Sequence, residues 1–229
     1  MRLFTLYTGG KDSTTATLLA LKNGFDVDSL LVIKPRNIES YMFHTVNIDW
    51  TYLQAISMDM KIYFFQSSGI KELELDDLKK AFKIMYRMGY DGVVSGAVAS
   101  RYQYDRIKNL ADEVGLKTYT PLWGLDQDYL LRLYLKLGVK YMIVSVSALG
   151  LEPIHLGWVI ESKKDVENLI SLAYKYNFNP TGEGGEYESY VIDAPNFRYL
   201  IYITEYDIKW YGDSGRLYIR DAKLVEKVV

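Results

Sequence analysis

Short apolar runs alternating with longer stretches of helical period organise the first half of the chain. The runs at 3–7, 29–33, 61–65 and 92–96 are β-branched or aromatic and read as buried strands. Between and after them, apolar positions recur at helical spacing over 13–22, 46–58, 73–87 and 101–114. Three of these helices have a stop signal: Asn23-Gly24, Gly89 and Gly115. Glycine just past the last apolar residue suits the left-handed turn that closes a helix. The rhythm predicts an α/β fold, a doubly wound parallel sheet with helices on both faces. Right-handed crossovers then set the strand C-termini along one edge.

Beyond Thr118 the rhythm is less regular. An amphipathic helix over 129–137 is closed by Gly138, a strand follows at 141–146, and a second helix covers 164–176. The pieces 187–192, 199–206, 208–211 and 215–225 read as antiparallel strands, with a turn at Gly212-Asp213-Ser214-Gly215. The pattern predicts a domain over 1–124 and a smaller C-terminal α+β domain over 125–229. No linker, low-complexity tract or repeat intervenes, so the two are expected to pack around a cleft.

Composition narrows the classes of function. With 27 basic and 29 acidic residues the net charge is −2, and no electrostatic footprint for direct nucleic-acid binding results. No apolar stretch approaches the ~20 residues of a membrane span and the first residues lead straight into a strand, so a cytoplasmic protein with no membrane partner is expected. Cysteine is absent. That excludes disulfides, thiolate metal sites, a persulfide relay and a cysteine nucleophile. The two histidines, His44 and His155, are too few and too far apart to suggest zinc.

The chemistry begins where the first apolar run stops, at Thr8-Gly9-Gly10-Lys11-Asp12-Ser13. Two glycines after a strand let the backbone turn tightly, and the first N–H groups of the following helix point at whatever anion sits there. Phosphate is the natural guest, although a Gly-Gly turn capped by Asp12 or Ser13 gives the same letters. The segment is not a Walker loop: Thr5 stands five positions before the Gly-Lys pair, where a glycine is needed, and Asp12 follows the lysine.

Three further constellations belong beside a cleft. Ser95-Gly96-Ala97-Val98-Ala99-Ser100 is a small-residue turn at a strand end, followed by a helix carrying Arg101, Tyr102, Gln103 and Arg106. Small residues admit a ribose or α-phosphate and arginine pairs with phosphate or carboxylate, while a solvated helix face accounts for the arginines equally well. Ser40-Tyr41-Met42-Phe43-His44 offers Met42 and Phe43 as an adenine wall or as core residues. In Asn179-Pro180-Thr181-Gly182-Glu183-Gly184-Gly185-Glu186-Tyr187-Glu188-Ser189-Tyr190, three carboxylates crowd beside three glycines. Such charges repel unless a cation neutralises them, or unless the loop is simply exposed.

The segment 8–13 resembles the SGGxDS loop of the PP-loop ATP pyrophosphatases, with Thr8 retaining the hydroxyl of the usual serine. Together, TGGKDS, SYMFH, SGAVASRYQYDR, TPLWG and NPTGEGGEYESYV, in this order and spacing, resemble the diphthine–ammonia ligase (diphthamide synthase) family of archaea and eukaryotes. The resemblance implies an adenine nucleotide alpha hydrolase-like fold and amidation of the diphthine carboxylate on translation elongation factor 2, with ATP, magnesium and ammonium. It implies that Thr8, Gly9, Gly10, Lys11, Asp12, Ser13, Met42, His44, Gly96 and Ala97 bind the nucleotide. Tyr102, Gln103, Arg106, Glu183, Glu186, Tyr187 and Glu188 would bind the acceptor. Lys11, Asp12 and Glu186 would be catalytic, and Asp12 would hold the metal. Tyr187 and Tyr190 would offer aromatic faces to a quaternary ammonium. A PP-loop enzyme with another acceptor and a non-catalytic ATP sensor remain as rival readings, and homo-oligomerisation stays open.

Overall fold

The first strand, β1 (Arg2–Leu6), is buried on both faces, and its side chains alternate between two helical layers. The computed structural model describes residues 1–36, 46–70 and 73–227. Around β1 lie β2 (Asp26–Pro35), β3 (Lys61–Ser67), β4 (Gly92–Val94) and β5 (Lys117–Tyr119), all parallel, in the order β3-β2-β1-β4-β5. Helices α1 (Lys11–Lys22) and α2 (Thr51–Met58) pack on one face through Ala16, Leu18, Leu53 and Met58. On the other face, α3 (Leu73–Arg87) and α4 (Arg101–Val114) contribute Leu78, Phe82, Ile107 and Ala111. Strand order reverses between β1 and β4, which opens a crevice at their C-terminal ends.

The expected helix over 46–58 is divided, with a 3₁₀ turn at Ile48–Trp50 preceding α2. Asn47 explains the division. Its backbone is left-handed (φ 60°), and its buried side-chain amide donates to Leu217 O at 2.9 Å and accepts from Ile219 N at 2.9 Å. Strand β5 escapes sequence reading because three residues between Gly115 and Pro121 display no period.

The second part contains α5 (Gln127–Lys136), β6 (Lys140–Val146), β7 (Val159–Ile160), α6 (Lys163–Tyr176), β8 (Tyr187–Asp193), β9 (Tyr199–Trp210) and β10 (Gly215–Glu226). Its strands form an antiparallel sheet in the order β7-β6-β10-β9, with β8 on the other side of β6. The two strands expected at 199–206 and 208–211 are one. Asp207 does not interrupt it, because its carboxylate lies outside the core and accepts from Arg220 Nε at 2.6 Å across the hairpin.

The two sheets share a core. One cluster of buried apolar side chains runs from Leu3, Ala16 and Leu53 in the first part to Tyr141, Ile143, Val191 and Leu217 in the second. Among the described residues, no helix is long and apolar enough to cross a membrane.

The Asn47 clamp gives the first prediction. Asn47→Ala leaves two buried backbone groups of β10 without partners, at about 1–3 kcal/mol each. Denaturant unfolding should therefore show a loss of at least ~2 kcal/mol, and a loss below ~0.5 kcal/mol would mean that the clamp contributes nothing.

Candidate active site between the two sheets

The phosphate-type loop follows β1 and is shaped by its own hydroxyls. Thr8 Oγ1 lies 3.1 Å from Ser13 Oγ and 3.4 Å from Gly10 N, and Ser13 Oγ donates to Gly10 O at 3.3 Å. Gly9 has φ +80°, and a Cβ there would come within 2.8 Å of Gln54 Oε1. Gly10 ends the extended backbone, so α1 begins at Lys11 and leaves its first N–H groups without partners one turn back. The turn after β4 lies directly against them: a Cβ on Gly96 would sit 2.6 Å from Ser13 N.

This loop is also a contact between the two parts of the molecule. Gly9 O accepts from Val191 N of β8 at 2.9 Å, and Gln54 Nε2 donates to both Gly9 O (2.9 Å) and Val191 O (2.8 Å). Lys11 N donates to Ser189 Oγ at 3.1 Å, so one helix-start donor is already engaged by the second sheet. Gln54, Ser189 and Val191 are all buried.

Lys11 is 3% exposed, with Nζ 2.8 Å from Asp12 Oδ2 and 5.2 Å from the centre of the Tyr187 ring. The other Asp12 oxygen accepts from Tyr134 OH of α5 at 2.5 Å. Burial and then the Asp12 charge push the Tyr134 hydroxyl well above the ordinary tyrosine range, so it stays a proton donor. Burial and neighbouring charge do the same to Tyr187, whose OH donates to Pro180 O at 2.8 Å.

The acidic loop is tied down through its own backbone. Glu186 accepts from Asn179 N at 3.1 Å and from Gly184 N at 2.7 Å, while Ser147 N donates to Glu186 O at 2.8 Å. Glu183 Oε2 accepts from Ala99 N at 3.3 Å, joining the loop to the turn after β4. Glu183 and Glu186 thus have backbone N–H partners, and the crowding of charge is relieved in part within the protein.

These segments enclose a cleft of about 430 Å³, a volume suited to a small ligand. Thr8, Gly10, Lys11, Asp12, Ser13, Gly96, Ala97, Tyr102, Gln103, Glu183, Tyr187 and Glu188 all line it. Gly9, Arg106 and Glu186 are not among the lining residues: Gly9 turns its carbonyl to β8, Glu186 turns inward to its loop, and the Arg106 guanidinium stacks 3.3 Å from the Tyr102 ring centre. Tyr190 is 2% exposed and donates to Trp50 O, so it has no open face for a cation. Met42 and His44 lie outside the described residues. Sequence reading missed Gln54, Tyr134 and Ser189. Ser189 stands within the acidic motif, while a lone glutamine in α2 and a tyrosine in α5 carry no local signal.

Among the described residues, no three His, Cys, Asp or Glu side chains converge as a metal cage. Asp12 nevertheless fits a magnesium shared with phosphates, since its side chain is 21% exposed at the cleft and such ions commonly take one carboxylate plus nucleotide oxygens.

Similarity to known proteins extends over nearly the whole chain. The model for the diphthamide synthase N-terminal domain matches residues 1–118, and that for the diphthamide synthase C-terminal domain matches 126–225. A diphthine–ammonia ligase of Danio rerio is 32% identical, covering 94% of this chain and 91% of its own. The Homo sapiens protein of that name is 29% identical over 91% of this chain and 85% of its own. The Schizosaccharomyces pombe protein is 28% identical over 96% of this chain, which spans only 39% of that longer relative. A solved structure from Methanocaldococcus jannaschii, described as a predicted subunit of tRNA methyltransferase, superposes with a TM-score of 0.47 at 15% identity, covering 85% of this chain and 98% of its own.

The close approach at Gly96 yields a second prediction. Gly96→Ala forces the turn away from the start of α1, so ATP affinity measured by calorimetry should fall by at least ~10-fold, the scale of lost packing in a well-packed contact. Unchanged affinity would remove this turn from the candidate site.

Proposed function

Matched by its domain models over both parts, the chain belongs to the diphthamide synthase family, and we propose that it is an ATP-dependent diphthine–ammonia ligase acting on translation elongation factor 2. One observation carries the reading: the phosphate-type loop and the acidic loop line the same cleft, so a nucleotide on one wall faces an acceptor on the other. In this division of labour, 1–124 serves the nucleotide and 125–229 the acceptor, with Tyr102, Gln103 and Arg106 of the first part added to the acceptor side.

A carboxylate has no leaving group, and the chemistry supplies one. An acceptor oxygen attacks the α-phosphorus of ATP, the bond to the bridging oxygen of the β-phosphate breaks, and pyrophosphate leaves. Ammonia then attacks the carbonyl carbon and loses a proton, and AMP departs with the former carboxylate oxygen. The N–H groups at the start of α1 and the Ser13 hydroxyl stabilise charge developing on the phosphates, and Lys11 adds a positive charge held beside them. Magnesium, bound through Asp12 and the nucleotide, would neutralise phosphate charge.

On the acceptor side, Glu183 and Glu188 supply negative charge for the trimethylammonium of diphthine or for ammonium, and a carboxylate there can take the proton that ammonium gives up. Tyr102 and Gln103 line the same cleft, with Arg106 behind Tyr102. Glu186 contributes by shaping the loop, since both its oxygens accept from loop N–H groups.

The test is product analysis with ATP, ammonium and elongation factor 2 bearing diphthine. AMP and pyrophosphate should form with one amide per turnover. ADP and phosphate would refute the reading, amidation of another acid alone would favour a different PP-loop ligase, and ATP binding without turnover would indicate a sensor.

Glu186→Gln supplies a second measurement. The amide keeps the volume but replaces one acceptor by a donor facing a backbone N–H. Amidation should fall by ~10-fold or more while ATP affinity changes less than ~3-fold, in line with the cost of a lost charged hydrogen bond. Normal amidation would return the loop to an ordinary solvated turn.

A further inference from the structure

Tyr134 stands apart from the rest of α5 in what it touches. Its side chain is fully buried, and its hydroxyl reaches across the junction of the two parts to donate to Asp12 Oδ1 at 2.5 Å. Lys11 Nζ holds the other oxygen at 2.8 Å, and lies 6.0 Å from the centre of the Tyr134 ring. The Asp12 carboxylate is therefore gripped on both oxygens, with its remaining capacity at the cleft wall. We propose that Tyr134 is a positioning residue of the nucleotide site, fixing the Asp12 carboxylate in the orientation that meets the metal-bound phosphates.

The physical argument is one of preorganisation. A short O–H···O⁻ bond is charge-assisted and strongly directional. If the Asp12 carboxylate rotated away, a buried hydroxyl would lose its acceptor, so the observed orientation is favoured before ligand arrives. The helix that carries Tyr134 is itself anchored. Its Arg132 makes a paired contact with Glu167 of α6 at 2.9 and 3.0 Å, and Gln127 at its start accepts from the Thr181 hydroxyl at 3.1 Å, next to the acidic loop. The second part of the molecule thereby helps to set the charge geometry of a site whose loop belongs to the first. This rests on the ATP-using reading above but not on the identity of the acceptor.

Tyr134→Phe removes one oxygen and keeps the ring. The experiment measures binding of α,β-methylene ATP by calorimetry, with magnesium and with chelator, in the absence of any acceptor. Affinity with magnesium should fall ~10-fold or more, the usual scale for a hydrogen bond to a charged group, while affinity in chelator changes less than ~2-fold. In an Asp12→Asn background the same substitution should add nothing further, because Tyr134 acts through that carboxylate. Tyr141→Phe, equally buried on β6 and without a hydrogen bond to Asp12, should bind as the wild type does. Wild-type affinity in Tyr134→Phe, an equal loss with and without magnesium, or a loss that persists in the Asp12→Asn background would overturn the proposal. Failure of Tyr134→Phe to fold would do so as well, by making the hydroxyl structural. Absence of AMP formation on diphthine leaves these binding results standing and counts only against the proposed acceptor.

Discussion

The carbonyl of Gly9 is the hinge point of the molecule's architecture. It accepts the backbone N–H of Val191 at 2.9 Å, so a loop at the end of a parallel sheet is stitched to a strand of an antiparallel one. Gln54 closes the same junction by donating to the carbonyls of both residues. Buried backbone groups are costly to leave unpaired, so neither side can move without leaving polar atoms of the other unsatisfied. The anion loop consequently has a fixed relation to β8, and through β8 to the acidic loop that immediately precedes that strand.

That junction changes the meaning of the loop's donors. In isolation, the start of α1 presents several free N–H groups to a ligand. Here Lys11 N is bound to Ser189 Oγ, and the turn at Gly96 lies too close to Ser13 N to admit a side chain. The second sheet thus takes one helix-start donor out of the set open to a ligand. The shared apolar core, running from Leu3 and Leu53 to Val191 and Leu217, keeps this arrangement rigid.

Local signals carried the fold wherever they were undisturbed by distant partners. Helices α3 and α4 have the bounds their periodicity predicts, 73–87 and 101–114, because α4 has its own Ser100 cap and Gly115 stop and both helices bury one continuous stripe. The segment 46–58 departs from its pattern because Asn47 is committed to β10, about 170 residues away in the chain, as seen in its bonds to Leu217 and Ile219. The same distinction separates the site residues. Thr8 to Ser13, Gly96 and Glu183 stand in motifs whose composition is unusual enough to notice. Gln54 and Tyr134 act only through tertiary contacts, and their surroundings in sequence resemble any amphipathic helix.

The acidic loop shows why charge read from sequence needs a structure. Three glutamates within six residues imply repulsion and therefore an external cation. Folding gives Glu186 two N–H donors from within its loop and gives Glu183 one from Ala99. Glycine makes this arrangement accessible, since Gly182 and Gly185 at φ +76° and +86° curl the backbone so that its N–H groups turn inward toward a carboxylate. The loop is thus a scaffold as well as a charge. Glu186 holds the curl, Glu183 ties it to the turn that touches the loop after β1, and Glu188 faces the cleft from the start of β8. A loop built this way keeps its shape before any cation arrives, so a cationic ligand meets carboxylates already in position and its binding energy is not spent on ordering the chain.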